Sequence, residues 1–191
     1  MEQWSPSARI AEHAFTEKAA ELGRSRLEPE VIGLFDQFRR PLLRYLMSFR
    51  IPIPEAEEIV QETFLLLFQH LVAGKSRANL QGWLFGVAHR LALRNRTRAR
   101  RELDRGSRTA ALEAVGSDAE PGPEERMELI ERRERMLAVV RALSEQDQCC
   151  LSMRAEGLRY REIAGALGIS LGSVANSIER ALARLTRAAG F

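Results

Sequence analysis

The sequence predicts an all-α protein: two small helical domains joined by a flexible acidic linker, the C-terminal domain a helix-turn-helix. Three observations carry this expectation. Ala, Leu, Arg and Glu abound in the 191 residues, aromatic content is only 6%, and alternating β-branched runs are nearly absent. Apolar residues instead recur every three or four positions, the period of a helix buried along one side. That pattern lapses between Thr109 and Glu125, where Gly116, Ser117, Asp118, Pro121, Gly122 and Pro123 sit among acids and few large apolar residues, the composition of a tether. The implied organisation is a partly helical lead-in (1–27), a helical domain (28–105), a linker (106–125) and a second helical domain (126–191).

In the lead-in, Ile10, Ala14, Phe15, Ala19 and Leu22 line one side of a short helix that Gly23 and its charged neighbours fray. From Val31 to Phe49, Leu34, Phe35, Phe38, Leu42, Tyr45, Leu46 and Phe49 keep helical spacing, with a break expected near Arg40 because Pro41 lacks the backbone donor. Ile51-Pro52-Ile53-Pro54 is a rigid connector, and Glu55, Glu57 and Glu58 fall in the first turn of the next helix, where carboxylates complement the positive dipole end. That helix runs to about Val72 on the stripe Ile59, Val60, Phe64, Leu67, Phe68 and Leu71. After a polar, basic loop (Gly74, Lys75, Ser76, Arg77), Asn79 caps a long helix reaching about Leu103. Trp83, Leu84, Val87, Ala88, Leu91 and Ala92 mark its packed side, and Arg90, Arg94, Arg98 and Arg101 stack along another.

Beyond the linker, Met127, Ile130, Met136, Leu137, Val140 and Leu143 lead into three short helices. Gly157 ends the first, Tyr160 to Leu167 forms the second, and Gly168-Ile169-Ser170 is a tight turn with Ser170 as N-cap of the third. The third helix is expected to bury Val174, Ile178, Ala181, Leu182 and Leu185 and to present Ser173, Asn176, Ser177, Arg180 and Arg184 outward. A helical hairpin whose second member carries amides and cations suits the DNA major groove, although a solvated polar face has the same pattern.

The net charge of +3 conceals a segregation: Arg90 to Arg108 contains eight arginines against Glu102 and Asp104, leaving the rest of the chain about −3. Basic charge so concentrated favours a polyanionic partner. Cys149 and Cys150 are adjacent and point about 100° apart on a helix, so they read as small core residues of a reducing compartment. His13, His70 and His89 are scattered, so no Cys/His cluster has metal-ligand spacing. No Gly-rich phosphate loop or nucleophile–base pair is present, and an enzyme is not expected. With no membrane-length apolar run and no signal peptide, the sequence points to the cytoplasm and to no membrane insertion.

Five stretches resemble the extracytoplasmic-function (ECF) sigma factors. Glu55-Ala56-Glu57-Glu58-Ile59-Val60-Gln61-Glu62-Thr63-Phe64 resembles the acidic helix of that family's second conserved region, and Trp83 to Leu93 its promoter-opening helix. Ala142-Leu143-Ser144-Glu145-Gln146, Tyr160 to Ala164 and Leu167 to Ser170 resemble its fourth conserved region. The resemblance implies a protein that binds core RNA polymerase and directs it to promoters with −35 and −10 elements, needing no cofactor. It implies that Glu57, Glu58, Gln61 and Glu62 dock on the clamp helices of one large subunit, with the flap of the other as a second contact. N-terminal dipole compensation accounts for Glu57 and Glu58 equally well, but not for Gln61 and Glu62. Lys75, Arg77, Asn79, Trp83, Arg90, Arg94, Asn95 and Arg98 are the implied −10 contacts. Trp83 has the spacing of a core residue and is favoured as one over base stacking; His89 is expected at the surface or near DNA. Arg161, Ser170, Ser173, Asn176, Ser177, Arg180 and Arg184 are the implied −35 contacts. Ala175, Ser177 and Glu179 stand where the family usually has basic or polar residues, which shifts phosphate anchoring to Arg180, Arg184 and Arg161 and implies weaker or differently specified −35 binding. An anti-sigma factor is a further implied partner. The rival reading is a stand-alone helix-turn-helix regulator whose first domain senses or dimerises.

Overall fold

The computed structural model describes the backbone of residues 6–103 and 123–189, and side chains within 27–98 and at 130 and 133–189. Among these residues there are seven helices and no strand: α1 (Pro6–Ser48), α2 (Ile53–Val72), α3 (Leu80–Leu103), α4 (Pro123–Arg141), α5 (Glu145–Ala155), α6 (Tyr160–Leu167) and α7 (Leu171–Ala189). Most of the expected linker lies outside the described residues.

α1 corrects two expectations. It is one helix through both Pro29 and Pro41, with no break near Arg40 and none where the lead-in was expected to end. A proline inside a helix costs about 3 kcal/mol. Just beyond Pro41, however, Leu42, Tyr45 and Leu46 are almost wholly buried, and each such side chain contributes about 1.5–3 kcal/mol. Burial outweighs the lost hydrogen bond. Tyr45 packs edge-on against Phe49 and Phe85, with ring centroids 4.9 and 5.4 Å apart.

α2 starts on Pro52 with proline in its first turn, where the missing N–H has no helical acceptor to lose. It buries Ile59, Val60, Phe64, Leu67 and Leu71 as expected. Asn79, in a left-handed conformation (φ 56°), opens α3 by accepting the Gly82 N–H on Oδ1 at 3.0 Å. A Cβ at Gly82 would lie 2.5 Å from the Asn79 amide nitrogen, so the cap requires glycine there.

In the second half, Ser144 caps α5 by accepting the Asp147 N–H at 3.2 Å, and Ser170 caps α7 through the Ser173 N–H at 3.0 Å. Gly168 ends α6 with φ 68°, a conformation that a side chain makes costly. No atom lies within 4 Å of a Cβ placed there, so the cost of Gly168→Ala is conformational alone. We expect it to lower unfolding stability in urea by about 1–2 kcal/mol without altering helix content.

α7 departs from the expected stripe. Val174, Ser177, Ile178 and Ala181 face inward, whereas Leu182 is 50% exposed. At about 100° per residue Leu182 lies ~90° from the middle of that stripe and Ser177 only ~50°; polarity alone had assigned them the other way. Ser177 is fully buried and is not on the outward face.

The two halves pack on each other. α3 runs along α6, and one continuous buried cluster includes Leu84, Phe85 and Ala88 with Cys149, Met153, Leu158, Ile163 and Ala166. The closest approach is at Gly86, where a Cβ would sit 3.2 Å from Ala166 Cα and 3.4 Å from its carbonyl oxygen. Arg44–Glu156 and Arg96–Glu145, each at 2.5 Å, cross the same boundary. Gln81 donates to the Glu156 carbonyl at 3.1 Å. Among the described residues no helix is long and apolar enough to cross a membrane.

Candidate nucleic-acid and polymerase interface

The outer face of α2 presents Glu58, Gln61 and Glu62, all exposed. Glu57 is half-buried and ion-paired to Arg39 at 2.7 Å. Leu65, four residues after Gln61, is 57% exposed on this face. The sequence hides it inside Phe64-Leu65-Leu66-Leu67-Phe68, where every residue looks like core; only its register against Gln61 and Glu62 sets it outside.

A cavity of about 310 Å³ opens between α2 and α3, lined by Leu66, Gln69, His70, Lys75, Trp83, Val87, Arg90, Leu91 and Arg94. Its lining combines the apolar Leu66, Trp83, Val87 and Leu91 with the polar Gln69 and His70 and the cations Lys75, Arg90 and Arg94. Trp83 is half-buried, as its spacing suggested, yet it also lines this cavity and stacks at a tilt on His70 with centroids 4.7 Å apart. His70, in turn, bonds the Ser76 carbonyl at 2.9 Å, tying the loop to the end of α2. Leu66 and His70 were not anticipated; they lie one turn apart, each preceding or following residues that read as core. The other expected −10 residues, Arg77, Asn79, Asn95 and Arg98, do not line it. Arg77 is held by Glu30 of α1 at 3.0 Å. Asn79 is exposed but spends Oδ1 on its cap. Asn95 is half-buried and Arg98 exposed. Arg94 reaches Glu62 at 3.6 Å, so the acidic face of α2 adjoins the basic face of α3.

His89 corrects its expectation: it is half-buried, and its Nδ1 lies 2.9 Å from the Tyr45 hydroxyl. Burial lowers its pKa, with Glu145 opposing and Arg90 and Arg96 assisting. The cysteines are both buried and free. Burial pushes the Cys149 thiol up to about 12, far from the thiolate that redox chemistry needs. Among the described residues no cluster of His, Cys, Asp and Glu is arranged to hold a metal.

On the second half, Arg161, Ser170 and Asn176 are exposed and Ser173 half-exposed. The Ser170 and Ser173 hydroxyls bond each other at 2.8 Å. Arg184 donates to the Ala142 carbonyl at 3.1 Å. Arg180 donates to Asp147 at 2.7 Å and to Ser177 at 3.2 Å.

One helical half thus carries a pocket of mixed apolar and cationic lining, and the other a helix-turn-helix. Residues 34–102 match the Sigma-70 region 2 family and residues 133–185 the Sigma-70 region 4 family, together well over half of the chain. The RNA polymerase sigma factor YlaC of Bacillus subtilis is 25% identical over 156 residues, covering 81% of this chain and 88% of its own. The ECF sigma factor RpoE of Cereibacter sphaeroides is 29% identical over 163 residues, 84% of this chain and 86% of its own. Two solved structures share the fold. CnrH in complex with the cytosolic domain of CnrY has a TM-score of 0.58 and 22% identity, over 88% of this chain and 92% of that one. RpoE in complex with the anti-sigma factor NepR from Bartonella quintana has a TM-score of 0.60 and 19% identity, over 82% and 96%. The chain belongs to the ECF sigma factors, which are transcription initiation factors.

Proposed function

We propose that this chain binds core RNA polymerase through the outer face of α2 and directs initiation by holding opened −10 DNA against α3 and −35 duplex against α7. The observation that carries the reading is the cavity beneath Trp83. A space near the small end of ligand pockets, with the apolar Leu66, Trp83, Val87 and Leu91 beside the cations Lys75, Arg90 and Arg94, suits one unstacked base whose flanking phosphates lie on the cations. Glu58, Gln61, Glu62 and Leu65 supply an acidic rim around an apolar centre for the clamp helices. Ile130 and Leu137, exposed on α4, supply apolar surface for the flap. The cytoplasm, where polymerase works, is the corresponding location. Since the Bartonella quintana RpoE structure is of a complex with the anti-sigma factor NepR, an anti-sigma partner extends to this chain as part of the proposal.

The packing of the halves bears on how this happens. Elements about 25 base pairs apart are separated by ~85 Å at ~3.4 Å per pair, whereas α3 is only ~36 Å long. With α3 against α6, the two DNA-facing helices do not reach both elements. The 19 residues between Leu103 and Pro123 extend at most ~65 Å, enough to bridge that span together with the modules. The halves therefore part when both elements are occupied, and the domains 28–105 and 126–191 act as separate bodies on the promoter. A stand-alone regulator explains neither the region 2 match over 34–102 nor the acidic face beside the cationic cavity. The test is run-off transcription on genomic fragments with purified core polymerase, followed by start-site mapping. Discrete chain-dependent starts are expected; no start above core polymerase alone overturns the reading.

A further inference from the structure

The proposed −35 surface contains a cation held by buried polar groups. Arg180 projects from α7 with its side chain about half exposed, while its partner Asp147, in the first turn of α5, is 3% exposed. Arg180 Nη2 donates to Asp147 Oδ1 at 2.7 Å and to Ser177 Oγ at 3.2 Å, and Nε approaches Oδ2 at 3.4 Å. The buried Ser177 hydroxyl also accepts from Gln146 Nε2 at 2.9 Å. One edge of the guanidinium is thus clamped by a buried carboxylate and a buried hydroxyl, and Nη1 takes no part in these bonds. Burial alone would raise the Asp147 pKa, but hydrogen bonds from Arg180, Ser177 and Ser144 together hold it below the ordinary value. The clamp is therefore charged at neutral pH.

We infer that Asp147 is a positioning residue for −35 recognition: it fixes the guanidinium of Arg180 so that its free end meets one phosphate and sets the register of α7 in the groove. This rests on the proposed promoter role of α7. Phosphate contacts carry no sequence information themselves but fix the orientation from which base edges are read. A planar fork held on one edge loses little freedom when the other end binds. The buried carboxylate also offsets the arginine's charge, so Asp147 contributes to discrimination at the expense of general attraction to DNA.

The test uses the full chain with core polymerase and a mapped promoter, with the −35 element either intact or scrambled, across a salt series. Asp147→Asn is expected to cut the intact-to-scrambled affinity ratio about tenfold, while binding to the scrambled template stays level or rises. Arg180→Ala is expected to cut the ratio similarly but also to reduce the salt slope by about one phosphate. In the Arg180→Ala background, Asp147→Asn should have no further effect on the ratio, because its action runs through Arg180. Arg180→Lys keeps the charge but not the fork, and should lose the ratio too; it serves if Asp147→Asn fails to fold. A merely structural Asp147 would weaken both templates equally. That outcome, or a ratio retained in both Asp147→Asn and Arg180→Lys, overturns the inference. A flat ratio in the unmodified chain would instead defeat the promoter role of α7.

Discussion

Replacing Glu58 and Glu62 together by lysine should reduce affinity for core polymerase by about 100-fold while leaving thermal unfolding nearly unchanged. Both side chains are exposed, so reversing them disturbs no core. Glu62 gives up only its 3.6 Å pairing with Arg94, in which both side chains are more than half exposed, and such surface pairs contribute about 0–1 kcal/mol. At a docking surface, by contrast, like charges brought together cost several kcal/mol. Leu65→Asp should act as strongly by placing a charge at the apolar centre of the patch. Glu57→Lys should do less to polymerase binding, because Glu57 is engaged with Arg39. Competition binding with labelled chain and core polymerase, beside thermal melts, separates these outcomes; a double lysine variant that binds as before removes α2 from the interface.

Gly86→Leu should open the molecule. Its first carbon alone would sit 3.2 Å from the Ala166 backbone, which cannot rotate aside as a side chain can, and three further carbons follow. Of the ion pairs across the boundary, Arg96–Glu145 is about half exposed on both sides and contributes at most ~1 kcal/mol, whereas Arg44 makes two bonds to Glu156, whose side chain is only 11% exposed. Apolar packing between α3 and α6 covers the larger part of the boundary, and a steric change there strains backbone as well as side chains. The Gly86→Leu chain should have a radius of gyration several ångströms above that of the unmodified chain in small-angle scattering while its helix content holds. It should bind core polymerase at least as tightly, being relieved of the work of separation. An unchanged radius, or general unfolding, contradicts the role given to this contact.

The helices themselves were legible because their signals are local. Asn79 and Ser170 as caps, Gly157 and Gly168 as stops, and the stripe of α2 follow from backbone chemistry and the 3.6-residue period. What the sequence withheld depends on what packs where. Pro41 reads as a break because its missing donor is a local fact, whereas the burial of Leu42, Tyr45 and Leu46 that overrides it is not. Ser177 reads as a surface residue by polarity, yet it lies buried because Gln146 and Arg180 satisfy its hydroxyl. His89 reads as exposed because Tyr45, its partner, is 44 positions away. Gly86 looks like an unremarkable helical glycine until α6 is seen against it. The proposed site could be outlined from Glu58, Gln61, Glu62, Arg90 and Arg94, while Leu65, His70 and Asp147 joined the proposal only as surroundings were added.

The central claim is that one chain, riding on polymerase, holds two separate promoter elements with its two halves. Directed DNA cleavage tests it most directly, using a cleaving reagent on a single introduced thiol, Lys75→Cys or Asn176→Cys, in the polymerase–promoter complex. The native cysteines are buried, with the Cys149 thiol pushed up to about 12, so the introduced thiol is the one that labels. Cleavage from position 75 should fall near the start site and cleavage from position 176 more than two helical turns upstream, ~10 base pairs per turn. Overlapping cleavage from both positions, or none from either, would contradict it.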